Sequence, residues 1–366
     1  MTEFNATDHA LMARALRLAE RGAYTTKPNP MVGCVIAQGD RVVGEGWHVR
    51  AGEPHAEVHA LQHAGAAAMG ATAYVTLEPC AHHGRTPPCA NALVAAGITR
   101  VVAASRDPYV QVSGEGFRKL TASGVVVDTG LMETAARELN RGFFSRIERG
   151  RPWVRLKLAM SLDGRTALAS GESKWITSEA ARADVQRWRA RSAAILTASG
   201  TVLADNPQLT ARLPDGEEAV APLRVVLDTR GRVPTRARVF DASAPTLAVH
   251  AVDMVPDYGD DIAAYSVPRV KGRLDLGAML AQLGQRAINE VQVEAGATLA
   301  GSLIEAGLVD ELLLYIAPVI LGDRGRPLLG GLDISVMSER LGLEIVDSRH
   351  VGPDLRLLLR PVRSRA

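Results

Sequence analysis

A histidine, a glutamate and two cysteines in this sequence have the types and spacing of a metal-dependent hydrolytic site. His55 and Glu57 stand two residues apart, and Cys80 and Cys89 follow downstream. One imidazole and two thiolates suit zinc, and three protein ligands leave a fourth position for water. Zinc lowers the pKa of such a water to roughly 7, and Glu57 would relay its proton to a ring nitrogen and to the leaving ammonia. The pattern predicts hydrolytic deamination, with Glu57 as the catalytic acid and base.

Local signals place these residues at the ends of regular elements. A helix is predicted to open just after Pro54 and a second to run from Pro88 to Gly97. A strand at 73–77 would deliver Cys80 from its carboxyl end, where open α/β sheets place their chemistry. Both helix N-termini would direct partial positive charge at the metal, which favours a thiolate at Cys89.

A closed structural zinc site is the alternative interpretation of the same residues. His59, His82 or His83 could supply a fourth ligand. Such a site would leave Glu57 without a role. Eight residues separate Cys80 from Cys89, whereas the general deaminase signature has two.

The longer loop between the cysteines places basic groups beside the metal. His82, His83 and Arg85 can bind an anion such as a substrate phosphate, although a solvated basic turn is the plain alternative. Asn29, between two prolines before a buried strand, offers a donor and an acceptor to a heterocycle edge or a ribose hydroxyl. A turn-forming asparagine would look the same.

The chain is predicted to hold two α/β domains, 1–147 and 148–366, because 366 residues with 47% hydrophobic content can bury two cores. The charged segment from Arg146 to Pro152 marks the boundary. In the second half, strands are predicted at 153–158, 193–197, 224–227, 246–250, 290–294 and 311–316, and helices at 178–191, 274–287 and 298–306. An amphipathic helix is predicted within the first 22 residues. The alternation in the second half predicts a largely parallel sheet with helical cover.

Two strand ends in the second half could bind a phosphorylated cofactor, although no Gly-x-Gly-x-x-Gly follows a strand. The segment from Val293 to Ser302 reads as a strand, a glycine turn and a helix start, whose amides can receive a phosphate. A plain strand-to-helix turn is the alternative. Thr229 and Arg230 follow another strand and suit a 2′-phosphate, which favours NADPH over NADH.

These motifs resemble a known family. His55-Ala-Glu57, Thr76-Leu-Glu-Pro-Cys80, the run from His82 to Cys89, and Pro28-Asn-Pro30 are similar to the deaminase half of bifunctional riboflavin-biosynthesis deaminase/reductases. The reductase half is matched by Lys157 to Gly164, Gly171 to Thr177, Thr201 to Pro207 and Val293 to Gly296. The resemblance spans nearly the whole chain. It implies a cytidine-deaminase-like three-layer domain followed by a dihydrofolate-reductase-like α/β domain.

The resemblance also implies the activity and the site residues. The expected reactions are zinc-dependent deamination of 2,5-diamino-6-(5-phosphoribosylamino)pyrimidin-4-one and NADPH-dependent reduction of the ribosyl chain to ribityl. Substrate contacts are expected in the first domain from Asn29, His48, His82 and Arg85, and in the second from Lys157, Ser173, Thr177, Arg189, Leu209, Arg212 and Glu294. Cofactor contacts are expected from Ala159, Trp175, Thr201, Asp205, Thr229, Gly296, Ala297, Thr298, Leu299, Ala300, Gly301 and Ser302. The two arginines would hold the sugar phosphate, and Asp205 or Glu294 could stabilise a cationic imine. Tyr109 stands where relatives carry a smaller polar residue.

Composition limits the partners and the compartment. A net charge of +2 without a long basic run argues against nucleic-acid binding, and no apolar stretch approaches the ~18 residues of a membrane span. Three cysteines, two of them proposed zinc ligands, leave no pair for a disulfide and predict the cytoplasm. The family implies a homodimer or tetramer through the reductase half. A tRNA or nucleic-acid deaminase and a non-catalytic zinc-stabilised protein are the rival functions, and neither explains the motifs of the second half.

Overall fold

The computed structural model describes residues 3–81, 88–109, 113–214 and 216–362. Their contacts divide the chain into two compact units, Met1–Arg149 and Gly150–Ala366. Within the described ranges, no helix is long and apolar enough to cross a membrane.

The first unit is a five-stranded sheet between two layers of helices. Its strands are β1 (Gly33–Gln38), β2 (Arg41–Trp47), β3 (Thr72–Val75), β4 (Arg100–Ala103) and β5 (Val126–Thr129), in the order β2-β1-β3-β4-β5. Its helices are α1 (Ala6–Glu20), α2 (Ala56–Ala64), α3 (Cys89–Ala95), α4 (Glu115–Ala122), α5 (Glu133–Leu139) and α6 (Arg141–Arg149). One apolar cluster joins the sheet to α1 and α5, and another joins it to α2, α3 and α4.

Glycines in β2 let α2 lie directly on the sheet. A Cβ on Gly44 would lie 2.2 Å from the Ala60 carbonyl oxygen, and one on Gly46 would lie 2.4 Å from that of Ala56. Any larger residue at either position would push the helix away. Since His55 and Glu57 lie at the start of α2, these two glycines help to set the distance of both side chains from the sheet.

The second unit contains, in its described residues, one nine-stranded sheet and two two-stranded sheets. Its strands are β6 (Trp153–Ser161), β7 (Arg165–Ala167), β8 (Ala194–Ala198), β9 (Leu223–Leu227), β10 (Thr246–Ala251), β11 (Ala263–Val267), β12 (Arg269–Val270), β13 (Arg273–Leu274), β14 (Glu290–Val293), β15 (Glu311–Ala317), β16 (Arg326–Pro327), β17 (Leu343–Val351) and β18 (Asp354–Pro361). Its helices are α7 (Glu179–Arg191), α8 (Ser199–Asp205), α9 (Leu276–Gln285) and α10 (Ala297–Glu305).

The main sheet has the order β11-β10-β9-β8-β14-β6-β15-β18-β17. Neighbours from β11 to β15 run parallel, and the β17–β18 hairpin adds two antiparallel strands at one edge. The largest apolar cluster of the unit covers this sheet with residues of α9 and α10. The predicted parallel sheet with helical cover is confirmed. The closing hairpin and α8 were not predicted.

Candidate active sites

The three predicted zinc ligands converge in the first unit. His55 is the N-cap of α2, Cys89 begins α3, and Cys80 follows β3. The His55 Nδ1 atom lies 3.6 Å from the Cys80 Sγ and 3.3 Å from the Cys89 Sγ. Tetrahedral zinc, with bonds of about 2.1 Å to nitrogen and 2.3 Å to sulfur, would separate these atoms by about 3.6 Å. The donor set and its spacing therefore fit zinc.

Cys80 and Cys89 interact directly through their sulfur atoms. A hydrogen bond from the Cys89 thiol lowers the pKa of Cys80 to about 4, and the same bond raises the pKa of Cys89. The Cys89 amide also donates to the Cys80 Sγ at 3.3 Å. A divalent cation that displaced the shared proton would hold both sulfurs as thiolates.

Glu57 lies in the first turn of α2 and is 3% exposed. Burial raises the pKa of Glu57 to about 7, with a further contribution from the negative charge of Cys80. The Cys89 thiol is within hydrogen-bonding reach of its carboxylate. A carboxyl group of this pKa can take up and release a proton at neutral pH, as the predicted acid–base role requires.

Asn29 and His48 form a connected pair beside the ligands. His48 Nδ1 lies 3.2 Å from the Pro54 carbonyl oxygen, so that nitrogen donates and Nε2 accepts from the Asn29 amide at 3.0 Å. Burial lowers the pKa of His48, which favours the neutral ring that this arrangement needs. The His48 and His55 rings meet edge to face at 5.3 Å. Because the Asn29 side-chain nitrogen points to His48, the Asn29 side-chain oxygen can accept a hydrogen bond from a substrate.

The Asn29 turn is held by a residue that the sequence analysis missed. Asn140 is buried, accepts from the Met31 amide and donates to the Met31 carbonyl, both at 2.8 Å. It lies 109 positions away in the sequence, and no local pattern marks it.

The closed-site alternative loses one of its candidate ligands. Among the residues that the structure describes, the potential metal-binding group is His55, Cys80 and Cys89, and it does not include His59. The predicted contacts His82 and Arg85, together with His83, lie outside the described residues.

The second unit contains a cleft of about 1430 Å³. It lies at the carboxyl ends of parallel strands, as expected for an open α/β sheet. The predicted residues on its wall are Lys157, Ala159, Ser173, Trp175, Thr177, Arg189, Thr201, Asp205, Leu209, Arg212, Thr229, Glu294, Gly296, Ala297, Thr298, Leu299 and Ser302. Ala300 and Gly301 are not on the wall: Ala300 is fully buried, and a Cβ on Gly301 would lie 1.9 Å from the Gly330 carbonyl oxygen.

A buried ion pair occupies the floor of this cleft. Arg189 donates to both oxygens of Glu294 at 2.7 Å and to the Thr210 carbonyl at 3.0 Å. Burial acts to raise the pKa of Glu294, but the charges of Arg189 and Lys157 outweigh it and hold the pKa at about 2. Burial lowers the pKa of Lys157. Glu294 is therefore ionised at neutral pH and faces the cleft as a fixed negative charge.

Further arginines line the cleft and were not predicted. They are Arg182, Arg232, Arg238, Arg273 and Arg326. Arg230, which the sequence analysis favoured for a 2′-phosphate, is exposed and is not part of the wall, whereas Arg232 two residues later is. Burial, followed by repulsion from Arg189 and Arg238, lowers the pKa of Arg212. Positive charge thus accumulates at this cleft, which suits phosphorylated ligands.

Known families match both units. Residues 5–105 match the cytidine and deoxycytidylate deaminase zinc-binding region, and residues 152–357 match the RibD C-terminal domain. The riboflavin biosynthesis protein RibD of Escherichia coli strain K12 is 50% identical over 362 residues, which cover 96% of this chain and 99% of that protein. RibD of Bacillus amyloliquefaciens is 43% identical over 355 residues, covering 96% and 95%.

Solved structures show the same likeness over both units. Acinetobacter baumannii RibD, form 1, has a TM-score of 0.92 at 45% identity and covers 98% of this chain and 99% of its own. A diaminohydroxyphosphoribosylaminopyrimidine deaminase/5-amino-6-(5-phosphoribosylamino)uracil reductase from Thermotoga maritima has a TM-score of 0.87 at 33% identity, covering 97% and 99%. The expected succession of a deaminase-like and a dihydrofolate-reductase-like domain is confirmed.

Proposed function

This chain belongs to the RibD family and is a bifunctional deaminase and reductase of riboflavin biosynthesis, and from that premise we propose its substrate, cofactors and site residues. The first unit deaminates 2,5-diamino-6-(5-phosphoribosylamino)pyrimidin-4-one with zinc. The second unit reduces the ribosyl chain of the product to ribityl with NADPH. The observation that carries the proposal is the convergence of His55, Cys80 and Cys89 around a buried Glu57.

In the deaminase site, the protein groups position the ring and move the protons. His55, Cys80 and Cys89 would hold zinc, which would act as a Lewis acid and activate water. Glu57 would take one proton from the attacking water and pass it to the ring nitrogen. It would then carry the second proton, from the added hydroxyl, to the amino group as the C–N bond breaks and ammonia leaves. The Asn29 carbonyl oxygen, fixed through His48, accepts a hydrogen bond from the substrate.

In the reductase site, we assign charge stabilisation to the ion pair on the floor of the cleft. Opening of the ribose leaves a cationic imine on the substrate, and hydride addition converts it to an amine. The ionised Glu294 faces this position with Lys157 beside it, whereas Asp205 is exposed at the end of α8. A fixed carboxylate is worth most where a cation develops in a buried site. Glu294 therefore suits that role better than Asp205.

The preference for NADPH over NADH is supported by the charges at the end of β9. In Rossmann folds, an accessible carboxylate binds the ribose 2′-hydroxyl of NAD. Here Asp228 is fully buried, and its carboxylate accepts from the Val233 amide at 2.8 Å and the Tyr258 hydroxyl at 3.3 Å. The groups that line the cleft include Arg232, four residues after Asp228, and Arg273. Guanidinium groups at the cleft wall, with the Asp228 carboxylate buried beneath it, suit a 2′-phosphate.

Arg212 is the better placed of the two predicted arginines for the substrate phosphate. The Nε and Nη2 atoms of Arg189 already donate to the Glu294 carboxylate. The Arg212 side chain donates from its Nη1 atom to the Thr210 hydroxyl at 2.8 Å. We therefore propose that Arg212 binds the substrate phosphate. Arg189 would orient Glu294 and contact the sugar of the substrate.

One assay tests the proposed activities together. The full chain is incubated with the diaminopyrimidine substrate, and ammonia release and cofactor oxidation are followed with NADPH or NADH. We expect a zinc chelator to abolish ammonia release while reduction of the supplied deaminated intermediate continues, and we expect NADPH to be oxidised far more efficiently than NADH. Ammonia release that survives complete zinc removal would contradict the deaminase proposal.

We further propose that two copies associate through β17. This strand ends the nine-stranded sheet in the described part of the chain and exposes Leu343, Ile345 and Val346. A long apolar edge strand is a template for pairing with another chain. Ile345→Lys is expected to shift sedimentation from dimer to monomer, whereas Val126→Lys, at an exposed position on the edge strand β5, should not. A wild-type monomer at micromolar concentration would refute the assembly.

The thiolate ligands support our assignment of the protein to the reducing cytoplasm.

A further inference from the structure

Glu78 is a buried carboxylate that the functions above do not use. It lies two residues before Cys80 and is 6% exposed. Its Oε2 atom accepts from the amides of Asp107 at 3.2 Å and Gly114 at 3.0 Å, and its Oε1 atom accepts from the Gly116 amide at 3.0 Å. Three main-chain donors on one carboxylate hold it in a single orientation.

The same segment meets the start of α4 at close range. A Cβ on Gly116 would lie 2.0 Å from the Pro79 carbonyl oxygen, so only glycine fits there. Pro79 is the residue between Glu78 and Cys80. The start of α4 also carries partial positive charge, which favours a carboxylate at this place.

On its other side, the segment is attached to the start of α3. The Cys80 carbonyl accepts from the Ala90 amide at 3.1 Å, and the Cys80 Sγ accepts from the Cys89 amide at 3.3 Å. Residues 78–80 are thus held between two helix starts. On the α4 side, the Glu78 side chain makes the hydrogen bonds.

We propose that Glu78 is a positioning residue for zinc: it ties the chain after β3 to the main-chain amides of Asp107, Gly114 and Gly116 and thereby sets the place of the Cys80 sulfur. The inference rests on the zinc site of the proposed function. Without the Glu78 bonds, Cys80 would keep its bonds to α3 but would lose its fixed distance from His55. Groups that orient a metal ligand typically change metal affinity or activity by about 10–100-fold when they are replaced.

Glu78→Gln tests this proposal, because the glutamine amide would direct N–H groups at a main-chain donor. In the full chain, we expect zinc affinity, measured by competition with a chromogenic chelator, to fall by about 10–100-fold. After cobalt(II) substitution, we expect the visible thiolate-to-cobalt bands to shift or weaken. Reductase turnover on the deaminated intermediate should stay at the wild-type value. These readouts separate positioning from general destabilisation.

Asp128→Asn is the matched control. Asp128 is a buried carboxylate of the same unit that bonds the Arg100 Nε at 2.8 Å, away from the ligands. It should lower the melting temperature without changing zinc affinity or the cobalt spectrum.

Wild-type zinc affinity and an unchanged cobalt spectrum in Glu78→Gln would overturn the proposal. If that variant does not fold, Glu78→Asp retains the charge but is one methylene shorter, and the same two measurements decide: weakened zinc binding supports positioning, and wild-type binding overturns it. A wild-type chain that binds no zinc would instead refute the proposed function.

Discussion

Glutamine in place of Glu57 is expected to lower deaminase turnover by about 10²–10⁴-fold, the usual contribution of a general acid–base group. Burial raises the pKa of Glu57 to about 7, so the native side chain can exchange a proton at neutral pH. Glutamine has nearly the same shape but cannot take a proton from water. Ammonia release at saturating substrate measures the effect, and metal analysis shows whether zinc is retained.

Two controls accompany this variant. Glu53→Gln removes an exposed carboxylate four residues earlier and should leave ammonia release unchanged. The reductase cleft is lined by residues of the second unit, so cofactor oxidation with the deaminated intermediate should also be unchanged. Deamination within about threefold of the wild-type rate, with zinc bound, would show that another group moves the proton.

The convergence of His55, Cys80 and Cys89 could be predicted because each residue is marked locally. Pro54 and Pro88 predict the two helix starts that carry His55 and Cys89, and the observed helices α2 and α3 begin at Ala56 and Cys89. The apolar run before Cys80 predicts the strand that the structure shows as β3. Short-range patterns were sufficient here, since one strand and two helix termini position all three donors.

The residues that hold these elements in place could not be predicted in the same way. Asn140 bonds Met31 across 109 positions, and Glu78 bonds main-chain amides 29 to 38 positions away. A side chain that bonds distant backbone leaves no periodicity in its own neighbourhood. Pairings of this kind follow from the tertiary fold.

The cleft of the second unit also shows how far the site could be predicted from the sequence. The sequence predicts that Thr229 and Arg230, after β9, contact the cofactor. Thr229 lines the cleft, but the turn brings Arg232 to the cleft wall and leaves Arg230 exposed. On α10, Ala300 and Gly301 turn away from the cleft because successive helical residues point to different faces. The sequence places both segments at strand ends, and the backbone geometry decides which of their side chains line the cleft.

Glu294→Gln is expected to lower reductase turnover by a comparable factor of about 10²–10⁴ without affecting deamination. The pKa of Glu294 is held at about 2 by Arg189 and Lys157, so the native cleft presents a full negative charge to the developing cation. Glutamine can keep one hydrogen bond to Arg189 but removes that charge, and it leaves two cations in a buried site. Cofactor oxidation at saturating NADPH and deaminated intermediate measures the loss.

Asp205→Asn distinguishes the two carboxylates of this cleft. Asp205 is exposed and lies at the end of α8, so its replacement should raise the KM for NADPH more than it lowers turnover. The opposite result would be that Asp205→Asn abolishes turnover and Glu294→Gln retains it. That result would assign the stabilising carboxylate to Asp205 of α8. Because the bidentate pair with Arg189 and the charge of Lys157 both keep Glu294 ionised, we expect the first outcome, with the carboxylate after β14 rather than that of α8 acting on the imine.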